Sequence, residues 1–154
     1  MKIKKIFSLL FVLIFIFTLT GCMEKKMITS DQFIKLSKEN KLTVYNVTDQ
    51  YKKEDNIKKG FVSINLRGWK VEFYELTSSD SAEEMFDTNK ALFEKEKTKN
   101  SSDASSNIRN YNTYSLTTSL NYYYLSRVDN TLLYVKVDLS HKKDVKTFVE
   151  KLGY

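Results

Sequence analysis

The sequence predicts an α+β domain, an antiparallel sheet of about five to six strands with helices packed on one face. Three observations carry that prediction. Residues 69 to 76, WKVEFYEL, alternate strictly, with Trp69, Val71 and Phe73 on one side and Lys70, Glu72 and Tyr74 on the other, as in a half-buried strand. Two segments instead repeat their apolar residues at helical spacing: Ala82, Met85, Phe86, Leu92 and Phe93, then Val145, Phe148, Val149 and Leu152. Strand-like runs follow one another across short turns, which pairs neighbours antiparallel and separates them from the helices.

Each element has its local cause. Thr29-Ser30-Asp31-Gln32 matches a capping box with Thr29 as N-cap, and Ile28 and Phe33 are placed to form a hydrophobic staple, so a helix is expected from about Ser30 to Asn40. LTVYNVTDQY (42 to 51) and FVSINLRG (61 to 68) are rich in β-branched and aromatic residues and read as strands, with IKKG near Gly60 as the turn between them. WKVEFYEL is the third strand. Serine and aspartate caps then start a helix that should run to about Lys97. Residues 98 to 110, TKNSSDASSNIRN, are polar and aperiodic and read as an exposed loop.

Three strands follow, about Tyr111 to Thr118, Tyr122 to Val128 and Thr131 to Leu139, with Asp129-Asn130 as a two-residue hairpin turn. Ser140 is placed to cap a last helix that Gly153 stops. The order is that of a doubled αβββ arrangement plus a C-terminal helix, although the two halves share only Ser-Asp at their helix starts.

The N-terminus has a different character. Lys2, Lys4 and Lys5 precede fourteen almost wholly apolar residues, 6 to 19, in the layout of an export signal. As a helix that run covers only about 21 Å, short of the roughly 30 Å hydrocarbon core, which favours a cleaved segment over a permanent span. Leu19-Thr20-Gly21-Cys22 then resembles the lipobox of bacterial lipoproteins, and each position matches. The resemblance implies cleavage between Gly21 and Cys22, lipidation of Cys22 with diacylglycerol, and residence on the outer face of the cytoplasmic membrane in a Gram-positive-type bacterium. Two acyl chains make such an anchor durable where one is marginal. The chain divides accordingly into a signal peptide (1–21), a lipidated tether (22–28) of roughly 20 Å at most, and one α+β domain (29–154).

Composition narrows the function. The formal charge is +6, but three of those positive charges are the signal-peptide lysines, so a nucleic-acid partner loses its main support. Cys22 is the sole cysteine, His141 the sole histidine, and glycine occurs only at 21, 60, 68 and 153. A disulfide, a His-pair metal site, a P-loop and a dinucleotide fingerprint therefore have no residues to build them, and no cofactor or metal is expected. His141, beside Lys142 and Lys143, reads as a solvated surface residue. Catalysis by two converging carboxylates stays open, since any pair of the 19 acids could meet in the fold.

Tyrosines concentrate in the last three strands. A two-residue turn at Asp129-Asn130 puts Arg127 opposite Leu132, Leu125 opposite Tyr134 and Tyr123 opposite Lys136 on one face. Ser126 with Leu133, Tyr124 with Val135 and Tyr122 with Val137 occupy the other, the natural core. Tyr123, Leu125, Arg127, Leu132, Tyr134 and Lys136 combine rigid rings with cations, a composition suited to a binding surface; cross-strand packing or a covering helix would use the same residues. The expected activity is that of a small binding or accessory module for a protein, peptide or envelope ligand. The alternatives are an immunity-type lipoprotein that intercepts a toxic peptide and a carboxylate-dependent envelope hydrolase.

Overall fold

Capping decides where the first helix starts. In the computed structural model, which describes residues 24–154, Thr29 Oγ1 accepts from the Gln32 amide at 3.2 Å while Gln32 Oε1 accepts from the Thr29 amide at 2.8 Å. The signal-peptide and lipobox expectations, Gly21 and Cys22 included, lie outside the described residues. Helix α1 spans Ser30–Glu39, and the chain reverses through Lys41, whose φ of 61° is left-handed. It then enters β1, Thr43–Asn46. After a 3-10 turn at Thr48–Tyr51 come β2 (Ile57–Ile64), β3 (Lys70–Leu76) and α2 (Ser79–Glu94). The second half holds β4 (Ser102–Ile108), β5 (Tyr111–Thr117), β6 (Asn121–Val128), β7 (Thr131–Asp138) and α3 (Lys142–Leu152).

All seven strands form one sheet in the order β1-β2-β3-β7-β6-β5-β4, every pair antiparallel. Two meanders, β1 to β3 and β4 to β7, therefore meet only along the β3–β7 seam. The expected αβββ succession is present in both halves, with one strand added to the second. That strand is β4, where the sequence reads as a loop. Five of its seven residues are exposed, so no apolar period marks it, and backbone pairing to β5 across the Arg109-Asn110 turn defines it instead.

Two further readings are corrected. IKKG is the start of β2, not a turn: a Cβ on Gly60 would stand 3.2 Å from Val47 Cγ2 and 3.5 Å from the Tyr51 ring, so the glycine serves close approach. The start of α3 is preceded by a 3-10 turn at Leu139–His141 and lacks a side-chain cap, so Ser140 does not cap it.

The helices cover both faces of the sheet rather than one. On one side Phe33 of α1 and Val145, Phe148, Val149 and Leu152 of α3 pack on Phe61, Trp69, Val71, Phe73, Leu133, Val135 and Val137. On the other, Ala82, Phe86 and Phe93 of α2 pack on Tyr74, Leu76, Tyr114, Leu116, Tyr123, Leu125 and Leu132. Fully burying one such side chain contributes about 1.5–3 kcal/mol, so each face is a substantial core. The hairpin register is the one the turn predicts, Val128 opposite Thr131 and Tyr123 opposite Lys136.

Candidate functional site

The two central strands carry alternating side chains toward α2: Lys70, Glu72 and Tyr74 on β3, and Leu132, Tyr134 and Lys136 on β7. Pairing runs from Glu75–Thr131 through Tyr74–Leu132 and Phe73–Leu133 to Glu72–Tyr134, and there it ends. The neighbouring ladders continue, β2–β3 as far as Ile64–Lys70 and β6–β7 as far as Asn121–Asp138. The seam is thus open at one end, from the step where Val71 would oppose Val135, and one step further Lys70 would oppose Lys136. Like charges directly opposite are unfavourable in a sheet, which disfavours running the ladder on to the Lys70–Lys136 step. Each lysine turns instead to its own carboxylate, Lys70 to Glu72 at 2.7 Å and Lys136 to Glu96 at 3.8 Å.

A cavity of about 540 Å³ occupies the open end. Lys70, Lys136, Val137 and Asp138 form its strand walls, Asn121 lies at the start of β6, and Arg67, Gly68 and Trp69 come from the β2–β3 turn. Asn65 builds that turn by accepting the Arg67 amide at its Oδ1 and the Gly68 amide at its carbonyl, both at 2.8 Å; Gly68, at φ 87°, takes the conformation that the reversal needs. His141, read from sequence as a solvated surface residue, is half-buried and lines the same cavity. Trp69 is buried against Phe148 of α3, and its indole Nε1 has no hydrogen-bond partner.

A second cavity of about 310 Å³ adjoins the first and shares Lys70 and Lys136 with it. It is lined by Tyr51, Glu72, Tyr74 and Tyr134 together with Met85 and Asn89 of α2. Here Tyr51 and Tyr74 are joined hydroxyl to hydroxyl at 2.9 Å, and Tyr74 donates to Glu72 Oε2 at 2.6 Å. Burial, reinforced by the Glu72 carboxylate, pushes the Tyr74 phenol far above its ordinary range, so it serves as a fixed donor. Burial likewise pushes Tyr134 up to about 12, with Glu72 as the next cause. Each of these two cavities has one carboxylate in its lining, Asp138 in the first and Glu72 in the second, whereas a further cavity of about 250 Å³ beside α2 is lined by both Glu54 and Glu84. No group of three or more His, Cys, Asp or Glu among the described residues is placed to hold a metal ion.

The predicted six-residue surface divides. Tyr134 and Lys136 line the site, whereas Tyr123, Leu125 and Leu132 belong to the second core beneath α2, and Arg127, 3% exposed, is buried against Ser79 at the start of that helix. Lys136 keeps a link to that core, its ammonium lying 5.4 Å from the centre of the Tyr123 ring. The sequence reading missed Lys70, Glu72 and Tyr74 as a functional row, and Trp69, Arg67 and His141 as its neighbours. The strict alternation of β3 was the available signal, but the partner strand lies some sixty residues away.

The opposite end of the sheet receives the first described residues. Lys25 and Asn110 are joined twice, the Lys25 amide donating to Asn110 Oδ1 at 3.2 Å and Asn110 Nδ2 donating to the Lys25 carbonyl at 2.8 Å. Asn110 also contacts Asp129, so the β4–β5 and β6–β7 turns both lie at this end. The cleft end carries two of the most exposed large apolar residues, Leu66 at 95% and Leu120 at 73%, in the β2–β3 and β5–β6 turns. No helix among the described residues is long and apolar enough to cross a membrane. Compared with known proteins, the chain matches no family model, no curated protein and no solved structure.

Proposed function

We propose that this protein is a bacterial lipoprotein held by a diacylglyceryl group on Cys22 at the outer face of the cytoplasmic membrane, and that its domain is a small binding module. The observation that carries the reading is polarity along the strands. The chain enters at the Asn110 end of the sheet, and the cleft opens at the other. Lys25 stands only three residues after Cys22, so the connection reaches about 10 Å at full extension. The eight residues of β6 carry the sheet about 23 Å from the turn end to the cleft end. A lipid on Cys22 therefore keeps the turns near the head groups and presents the cleft away from them. Exposed Leu66 and Leu120 beside the cleft favour a ligand with apolar parts, which keeps interception of a toxic peptide as a second reading.

Labelled palmitate incorporation into the full-length chain tests the anchor. The unmodified protein should take up label and fractionate with membranes, and Cys22→Ala should do neither. Equal labelling of the two would remove the lipoprotein reading.

A further inference from the structure

We infer that the open end of the β3–β7 seam is an oxyanion site, which takes a phosphate or carboxylate group from a ligand arriving on the side away from the bilayer. The inference rests on reading this cleft as the binding site and adds the ligand's chemistry. Three independent features converge there. Lys70 and Lys136 both line the gap beyond the end of the ladder, so an anion between them turns repulsion into two attractions. Trp69 lines the same cavity while packing on Phe148, and its buried indole N–H has no acceptor among the described residues. Arg67, whose guanidinium pairs with Asp144, stands at the rim of the same cavity with His141, within one space of about 540 Å³, which is room for a small ligand.

The carboxylates now paired with the lysines do not close the site. Both lysine side chains are about half exposed, at 49% and 48%, and ion pairs in that setting are weak. Glu72 also keeps the Tyr74 hydroxyl as a donor when Lys70 turns away, so releasing the lysine leaves no unpaired carboxylate. The lipid head groups offer the same chemistry, but the tether enters at the opposite end of the sheet, and the cleft is aimed away from them.

Trp69 is the sole tryptophan, so its fluorescence reports on the cleft without labelling. The full-length chain in neutral detergent is titrated with inorganic phosphate, with succinate, and with phosphatidylglycerol vesicles. The expected result is a saturable emission change with phosphate or succinate. In Lys70→Gln/Lys136→Gln half-saturation should rise at least about tenfold, whereas Lys70→Arg/Lys136→Arg, which keeps the charge, should retain binding. No saturable response to either small anion overturns the inference, as does a response undiminished in the glutamine pair or lost equally in the arginine pair. A response to vesicles alone overturns the outward-facing source. These readings are independent of palmitate labelling, so failure of the anion site and failure of the anchor are told apart.

Discussion

Arg127 donates through Nε to Asn112 Oδ1 at 2.6 Å, and both side chains are buried beneath the start of α2. The guanidinium also reaches Ser79 Oγ at 3.0 Å and the Asp129 carbonyl at 3.2 Å, yet it takes part in none of the ion pairs among the described residues. A buried cation held by neutral acceptors depends on every one of them. Asn112→Ala leaves Nε unpaired and should cost about 2–3 kcal/mol. Arg127→Met, which removes the charge along with its need for partners, should cost less than the alanine variant despite deleting more bonds. Denaturant midpoints order the two. The reverse order would show that the guanidinium is solvated, not buried.

The covered sheet face predicts a contrast between two tyrosines. Tyr123 is 1% exposed and its ring lies 4.8 Å from that of Phe93, centre to centre, whereas Tyr45 on β1 is 52% exposed. Tyr123→Ala should cost about 3–5 kcal/mol, and Tyr45→Ala should stay within about 0.5 kcal/mol of the parent. Urea denaturation of both variants decides it. A small loss at Tyr123 would mean that α2 does not cover this face.

Alkaline pH offers an independent check. Burial raises the phenols of Tyr74, Tyr114, Tyr122, Tyr123, Tyr124, Tyr134 and Tyr154 above the ordinary 10.0. A raised folded-state value means that the folded chain holds its protons longer than the unfolded chain does. The associated stability is therefore intact below about pH 10 and is lost as the pH climbs through the folded values, about 12 for Tyr134. Tyrosinate absorbance should accordingly appear late and together with unfolding. Smooth ionisation of all ten tyrosines near pH 10, with the fold retained, would contradict the burial.

Local chemistry made much of this fold legible. The capping box at Thr29, the left-handed stop at Gly153 and the Asp129-Asn130 hairpin are set by residues within a few positions of one another, and all three are found as read. What could not be read locally is which faces are covered. On β6 both sides are buried, so Tyr123, Leu125 and Arg127 look amphipathic in sequence while lying in a second core. Strand β4 escaped for the opposite reason, since solvent bathes much of it and nothing apolar recurs. The candidate site was half visible. Tyr134 and Lys136 came from the hairpin register, but Lys70 and Trp69 join them only through the β3–β7 seam, a long-range pairing with no local signature.

That seam yields the last prediction. If repulsion between Lys70 and Lys136 holds its end open, removing one charge should let the ladder run on. Lys136→Thr puts a neutral β-branched residue at the position, and the pair it gives up, with Glu96 at 3.8 Å, is exposed and weak. Relief of a like-charge cross-strand pair is worth about 0.2–1 kcal/mol, so the variant should be as stable as the parent or slightly more so. Amides in segments 69–71 and 135–137 should exchange with solvent more slowly as the strands close on each other, while those of the already paired segment 72–75 should not change. Closing the gap also narrows the space for an incoming anion, and the variant lacks one of its two lysines, so the phosphate response of Trp69 should weaken. Unchanged exchange in the open segments would assign the opening to the packing of Trp69 and Val137 on α3 instead of to the lysines, and the two causes part on that single measurement.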